Sequence, residues 1–82
     1  MPRNLYVIYD GYAEYPIQAA TDAAALKQAR RWLHTHAGGY TINMSTASIS
    51  RSLLPGSRFL AYLKDIDAAI RQPPEHAGRG HG

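Results

Sequence analysis

One segment constrains this chain more than any other. From Asp22 to His36, apolar and basic side chains separate onto opposite stripes of a helix. At about 100° per residue, Ala25, Leu26, Ala29, Trp32 and Leu33 fall on one stripe, and Lys27, Arg30, Arg31 and His34 fall on the other. Thr21 stands where an N-cap belongs, and Asp22 in the first turn suits the positive end of the helix dipole. Gly38-Gly39 reads as the C-cap. A helix with a single apolar stripe must bury it against something else. Strand-like segments on both sides of it supply that surface, so the expected class is α+β.

Leu5 to Tyr9 is β-branched and aromatic on both faces, which predicts a central strand. Asp10-Gly11 signals a turn. Tyr15, Ile17 and Ala19 then alternate with Pro16 and Gln18. Because Pro16 has no N–H for the ladder, it marks either an edge strand or the start of a strand. After the helix, Tyr40, Ile42 and Met44 share one phase and Ala47 and Ile49 another, which predicts a third strand with a bulge near Ser45-Thr46. Ser50 to Ser57, with Leu54-Pro55-Gly56 inside it, reads as a loop.

The segment from Arg58 to Gln72 supports two patterns. Phe59, Leu60, Leu63, Ile66 and Ile70 recur at helical spacing behind Ser57. The alternative is a fourth strand from Arg58 to Leu63, followed by a short helix that Asp65 caps and Arg71 ends. The third strand's need for a partner favours the second pattern. The expected architecture is therefore a small antiparallel sheet of three to four strands packed on one main helix, ββαββ-like, with a short C-terminal helix.

An 82-residue chain has room for one domain. Residues 1–72 are expected to form it, and the Pro/Gly-rich stretch 73–82 to be a disordered tail. With 45% hydrophobic and 18% charged residues, the chain as a whole is too apolar to be disordered. A core this small is marginal, which leaves self-association to a homodimer as an open route to further stability. The lack of cysteine excludes disulfides and thiolate metal sites. No stretch approaches the roughly 18 apolar residues of a membrane span, so a cytoplasmic protein without a membrane partner is expected.

Catalytic constellations are missing from the sequence. His34 and His36, two residues apart, point to different sides of a helix and cannot share a metal there. The hydroxyls of Ser45, Thr46, Ser48, Ser50 and Ser52 sit in no nucleophile elbow. Asp65 and Asp67 lack the shared environment that acid–base catalysis needs. No metal, no cofactor and no enzymatic activity are expected.

Binding is the better-supported class. No Asp or Glu occurs from Ala23 to Lys64, whereas Lys27, Arg30, Arg31, Arg51, Arg58 and Lys64 all lie there, so this middle should carry a positive field. On the helix, Lys27, Arg30, Arg31 and His34 are spaced at three and four and form one basic patch. A second candidate is the tyrosine cluster Tyr6, Tyr9, Tyr12 and Tyr15. Tyr6 and Tyr9 are expected in the core and Tyr12 at the exposed turn, where a tyrosine offers contact area at low entropy cost.

With these elements placed, the chain resembles the small phage-encoded anti-CRISPR proteins that disable type I CRISPR surveillance complexes. The resemblance rests on Tyr6-Val7-Ile8, on Ile17-Gln18-Ala19-Ala20 leading into a helix with Gln28-Ala29-Arg30-Arg31, and on Phe59-Leu60-Ala61-Tyr62 followed by Lys64-Asp65. It spans Leu5 to Asp65 and has no counterpart for the segment 65–71 or the tail. It implies a rigid protein in the bacterial host cytoplasm that docks on the guide-RNA-bearing complex and prevents target DNA from hybridising. Arg30 and Arg31 would be its helix contacts. Two other classes stay open: a small basic module that binds nucleic acid directly, and a structural oligomerisation accessory.

Overall fold

The computed structural model describes residues 3–36 and 41–71. Strand β1 (Asn4–Tyr9) turns back into β2 (Glu14–Ala19), helix α1 (Asp22–His36) follows, and β3 (Ser48–Ser52) and β4 (Ser57–Tyr62) form a second hairpin. A 3-10 turn (Leu63–Asp65) leads into the short helix α2 (Ile66–Arg71). All four strands are antiparallel in the order β2-β1-β3-β4. β1 is central, as its two apolar faces predict, and β2 with Pro16 is an edge.

Strand register sorts the side chains by face. Tyr6 and Ile8 of β1, Ile17 and Ala19 of β2, Ile49 of β3 and Ala61 of β4 share the face that the helices cover. With Ala25, Leu26 and Ala29 of α1, and with Ala47, Leu60, Leu63 and Ile66, they form the core, Ile17 packing against it partly buried. The fully buried Ile8, Leu26 and Ile49 each contribute about 1.5–3 kcal/mol by leaving water. α1 starts where the sequence placed it, since the Thr21 hydroxyl accepts the Ala24 N–H at 3.1 Å.

Four expectations are corrected. The third strand begins at Ser48, not Tyr40, because Asn43 builds a turn there. Its carbonyl accepts from the N–H groups of Thr46 and Ala47, and its side chain accepts from the Ser45 N–H. The bulge lies between Ile49 and Ser50 in the β3–β4 ladder, not near Ser45-Thr46. It lets Leu60 and Ala61, neighbours in sequence, both turn inward. The loop is shorter than Ser50 to Ser57, since β3 runs to Ser52 and the Leu53 N–H donates to the Gly56 carbonyl at 3.0 Å. Asp65 ends the 3-10 turn instead of capping α2; that turn is held by the Leu63 N–H bonded to the Ala47 carbonyl at 2.9 Å. Gly38-Gly39, Tyr40 and the stretch 73–82 lie outside the described residues.

Candidate functional site

The basic stripe of α1 is a continuous solvent-facing surface. Lys27, Arg30, Arg31 and His34 line one side of a cleft of about 560 Å³, with Thr35 beside them and Ile70 of α2 opposite. All four side chains named from helical spacing are thus brought together. α1 can present them because Ala25, Leu26 and Ala29 point the other way, fully buried against the sheet.

α2 supplies the part that spacing on α1 could not reveal. The Asp67 carboxylate meets the Arg30 Nε at 2.9 Å, with both side chains about half exposed. An ion pair this wet contributes about 0–1 kcal/mol, so its main effect is to fix where Arg30 points. Among the described residues, Lys27 and Arg31 have no carboxylate partner. The pairs that form show that the middle of the chain is less acid-free in space than in sequence. Asp67 reaches Arg30, and Asp22 reaches Arg58.

Tyr12 stands apart from this cleft. It is 66% exposed on the β1–β2 turn, as expected. That turn is closed by hydrogen bonds: the buried Asp10 carboxylate accepts from the Tyr12 and Ala13 N–H groups at 2.7 and 2.8 Å. Of the other tyrosines, Tyr6 is buried as expected. Tyr9 is only half-buried, because its odd-numbered phase on β1 puts it on the uncovered sheet face. Its hydroxyl donates to the Gly11 carbonyl at 3.0 Å.

His36 is engaged in the fold. Its ring stacks on Trp32 at 4.6 Å between centroids, and its Nδ1 bonds the Trp32 carbonyl at 2.7 Å. Since a carbonyl only accepts, Nδ1 carries a proton in that bond. His34 is exposed at the cleft. Among the described residues, no three His, Asp or Glu side chains are grouped closely enough to hold a metal ion, and no helix is long and apolar enough to cross a membrane.

A second cluster ties the sheet to the start of α1. The Tyr6 hydroxyl donates to Asp22 at 2.7 Å, and Arg58 donates to the other Asp22 oxygen at 2.9 Å. Arg51 donates to the Asn4 side chain at 3.0 Å. Partial burial works to raise the Asp22 pKa. The hydrogen bonds from Tyr6 and Arg58, with the charges of Arg58 and Arg51, outweigh it and hold the carboxyl below its ordinary 3.8. Burial, and then the bond to Asp22, push the Tyr6 hydroxyl above its ordinary 10.0.

The signs fix a pH profile. A depressed carboxyl stabilises the fold above its unfolded pKa and loses that contribution as pH falls through the folded value. A raised tyrosine stabilises below its unfolded pKa and loses that contribution as pH climbs past the folded value. From this cluster, stability should decline below about pH 4 and above about pH 10. Urea unfolding across pH checks this: Asp22→Asn should flatten the acid limb. An unchanged acid limb in that variant would show that Asp22 is not its source.

Arg51 and Arg58 therefore serve the fold, and the cations of the basic middle left for a partner are those of the α1 cleft together with Lys64, which lies apart from it over the Tyr62 ring. No protein-family model matches this chain, and no curated protein or solved structure does either.

Proposed function

We propose that the protein acts by binding, through the α1–α2 cleft, to an anionic surface of a macromolecular partner. The observation that carries this reading is the alignment of Lys27, Arg30, Arg31 and His34 along one cleft wall. Only Arg30 among them is paired with a described carboxylate. Cations placed side by side repel each other, so a helix face that merely needs water is better served by mixed signs. A ligand that brings negative charge relieves the repulsion and gains from the field.

The resemblance to anti-CRISPR proteins names a partner of this kind, a type I CRISPR surveillance complex carrying its guide RNA. Docking there would keep target DNA from hybridising, and the activity would be inhibition without chemistry. Such proteins work in the cytoplasm of the bacterial host, and this chain is proposed to do the same. The same basic wall also suits direct contact with nucleic acid phosphates, the second reading.

The two readings separate in one titration. The purified protein is titrated against a type I surveillance complex and against duplex DNA, each at about 50 and 200 mM salt. The first reading expects saturable binding to the complex and weak binding to duplex. The second expects duplex binding that falls roughly 40-fold across that range if three cations meet phosphates. Absence of binding to both would mean the α1 wall is only a solvated surface.

A further inference from the structure

The side of the sheet turned away from the helices has no cover among the described residues. Leu5, Val7 and Tyr9 of β1 share it with Phe59 and Tyr62 of β4, and Ser48, Ser50 and Ser52 of β3 lie between them. Phe59 is 53% exposed and Tyr62 43%, their rings in edge contact at 4.9 Å. Large exposed rings on a four-stranded sheet are a docking surface in want of an occupant. We infer that the occupant is a second copy of this chain, packed sheet to sheet about a two-fold axis parallel to the strands.

Two features of the face select a second copy. The first is its charge. Residues Glu14, Tyr9, Ser48 and Tyr62 form one row straight across the sheet. Glu14 stands at the β2 edge, and at the β4 edge Lys64 lies 5.6 Å over the Tyr62 ring. A two-fold axis between β1 and β3 lays the β2 edge of each copy over the β4 edge of the other. Each Glu14 then meets the Lys64 end of its partner's row, twice per dimer. A nucleic acid strand would need cations along its backbone, and among the described strand residues of this face and the lysine at its edge, one lysine stands against one glutamate.

The second feature is shape. The same axis stacks β1 of each copy over β3 of the other, so Val7 and Tyr9 face Ser50 and Ser48. Those serines line a shallow recess of about 430 Å³ that Val7 and Tyr9 flank. Bulk on one strand opposite small residues on the next is how packed sheets interdigitate. Four strands spaced about 4.8 Å, each about six residues long, give a face of about 400 Å² in projection. That is small for a permanent dimer and suits a reversible one.

The inference concerns the sheet, opposite the α1 cleft, and stands or falls independently of the proposed function. Sedimentation velocity from about 1 μM to 1 mM should show a monomer–dimer equilibrium shifting with concentration. Phe59→Glu should stay monomeric throughout, with unchanged far-UV circular dichroism. Glu14→Lys and Lys64→Glu should each weaken the dimer about tenfold, and the double exchange should restore it. A wild type monomeric at every concentration overturns the proposal. So does a Phe59→Glu protein that dimerises normally, a double exchange that fails to restore the dimer, or tight oligonucleotide binding that the Phe59 variant loses.

Discussion

Gly11→Ala should destabilise the protein by about 3–5 kcal/mol, whereas Gly56→Ala should cost only about 1–2 kcal/mol. Both glycines have positive φ, +100° and +88°. Any L-residue therefore pays a similar conformational penalty at either place. The difference is what surrounds them. A Cβ on Gly56 meets nothing within 4 Å, while one on Gly11 would overlap the Asn43 Cβ, with the Thr46 Oγ1 at 3.2 Å. Asn43 cannot retreat. Its N–H donates to the Asp10 carbonyl at 2.8 Å, and its own carbonyl holds Thr46 and Ala47 at 3.1 and 2.9 Å. The Asp10 carboxylate locks the other side of the turn. Set against a total stability of about 5–15 kcal/mol, the Gly11 change removes a large part of the margin. Urea unfolding of both variants decides it. Equal losses, within about 0.5 kcal/mol, would mean that the contact between the two loops carries no energy.

That contact also shows where the sequence could be read and where it could not. Asp10-Gly11 signals a turn through local chemistry alone, and helix α1 is legible from its cap and stripe, because both depend on residues within a few positions. Asn43 is different. It makes a turn only because the β1–β2 hairpin offers it the Asp10 carbonyl, 33 positions earlier. Without that partner, Tyr40, Ile42 and Met44 look like a strand. The helical spacing across Phe59, Leu60, Leu63 and Ile66 arises in the same way. The bulge beside Ile49 turns Leu60 and Ala61 inward together while Phe59 points outward, which breaks the alternation of a strand.

The candidate site divides along the same line. Lys27, Arg30, Arg31 and His34 were found from one helix's periodicity, and the structure keeps them on one wall. Ile70, which lines the cleft, and Asp67, which pairs with Arg30, come from an element whose packing on α1 leaves no local trace. Arg51 and Arg58 were counted with the basic middle for the opposite reason. Spacing in sequence cannot show that Asp22 lies against Arg58 once the sheet has formed.

This division decides which variant tests the site. Reversing Arg30 would set a glutamate against Asp67 and disturb the α1–α2 contact, so lost binding would have two explanations. Lys27→Glu with Arg31→Glu avoids this, since both side chains are exposed and neither has a described carboxylate partner. Each exposed substitution should change stability by no more than about 0.5 kcal/mol. At an interface, however, each reversal replaces attraction with repulsion, and the pair should cost about 3 kcal/mol or more of binding energy. At about 1.4 kcal/mol per decade, affinity would fall by roughly a hundredfold or more. Exchanging the pair's polarity, Arg30→Glu with Asp67→Arg, separates the two roles of Arg30. The cleft keeps its ion pair, and binding falls only if the partner touches the Arg30 guanidinium itself. Circular dichroism should show native folds for both double variants, and the partner titration should show the loss. If the Lys27, Arg31 variant folds and binds as the wild type does, the α1 wall is a solvated surface and the exposed Tyr12 turn becomes the site to test.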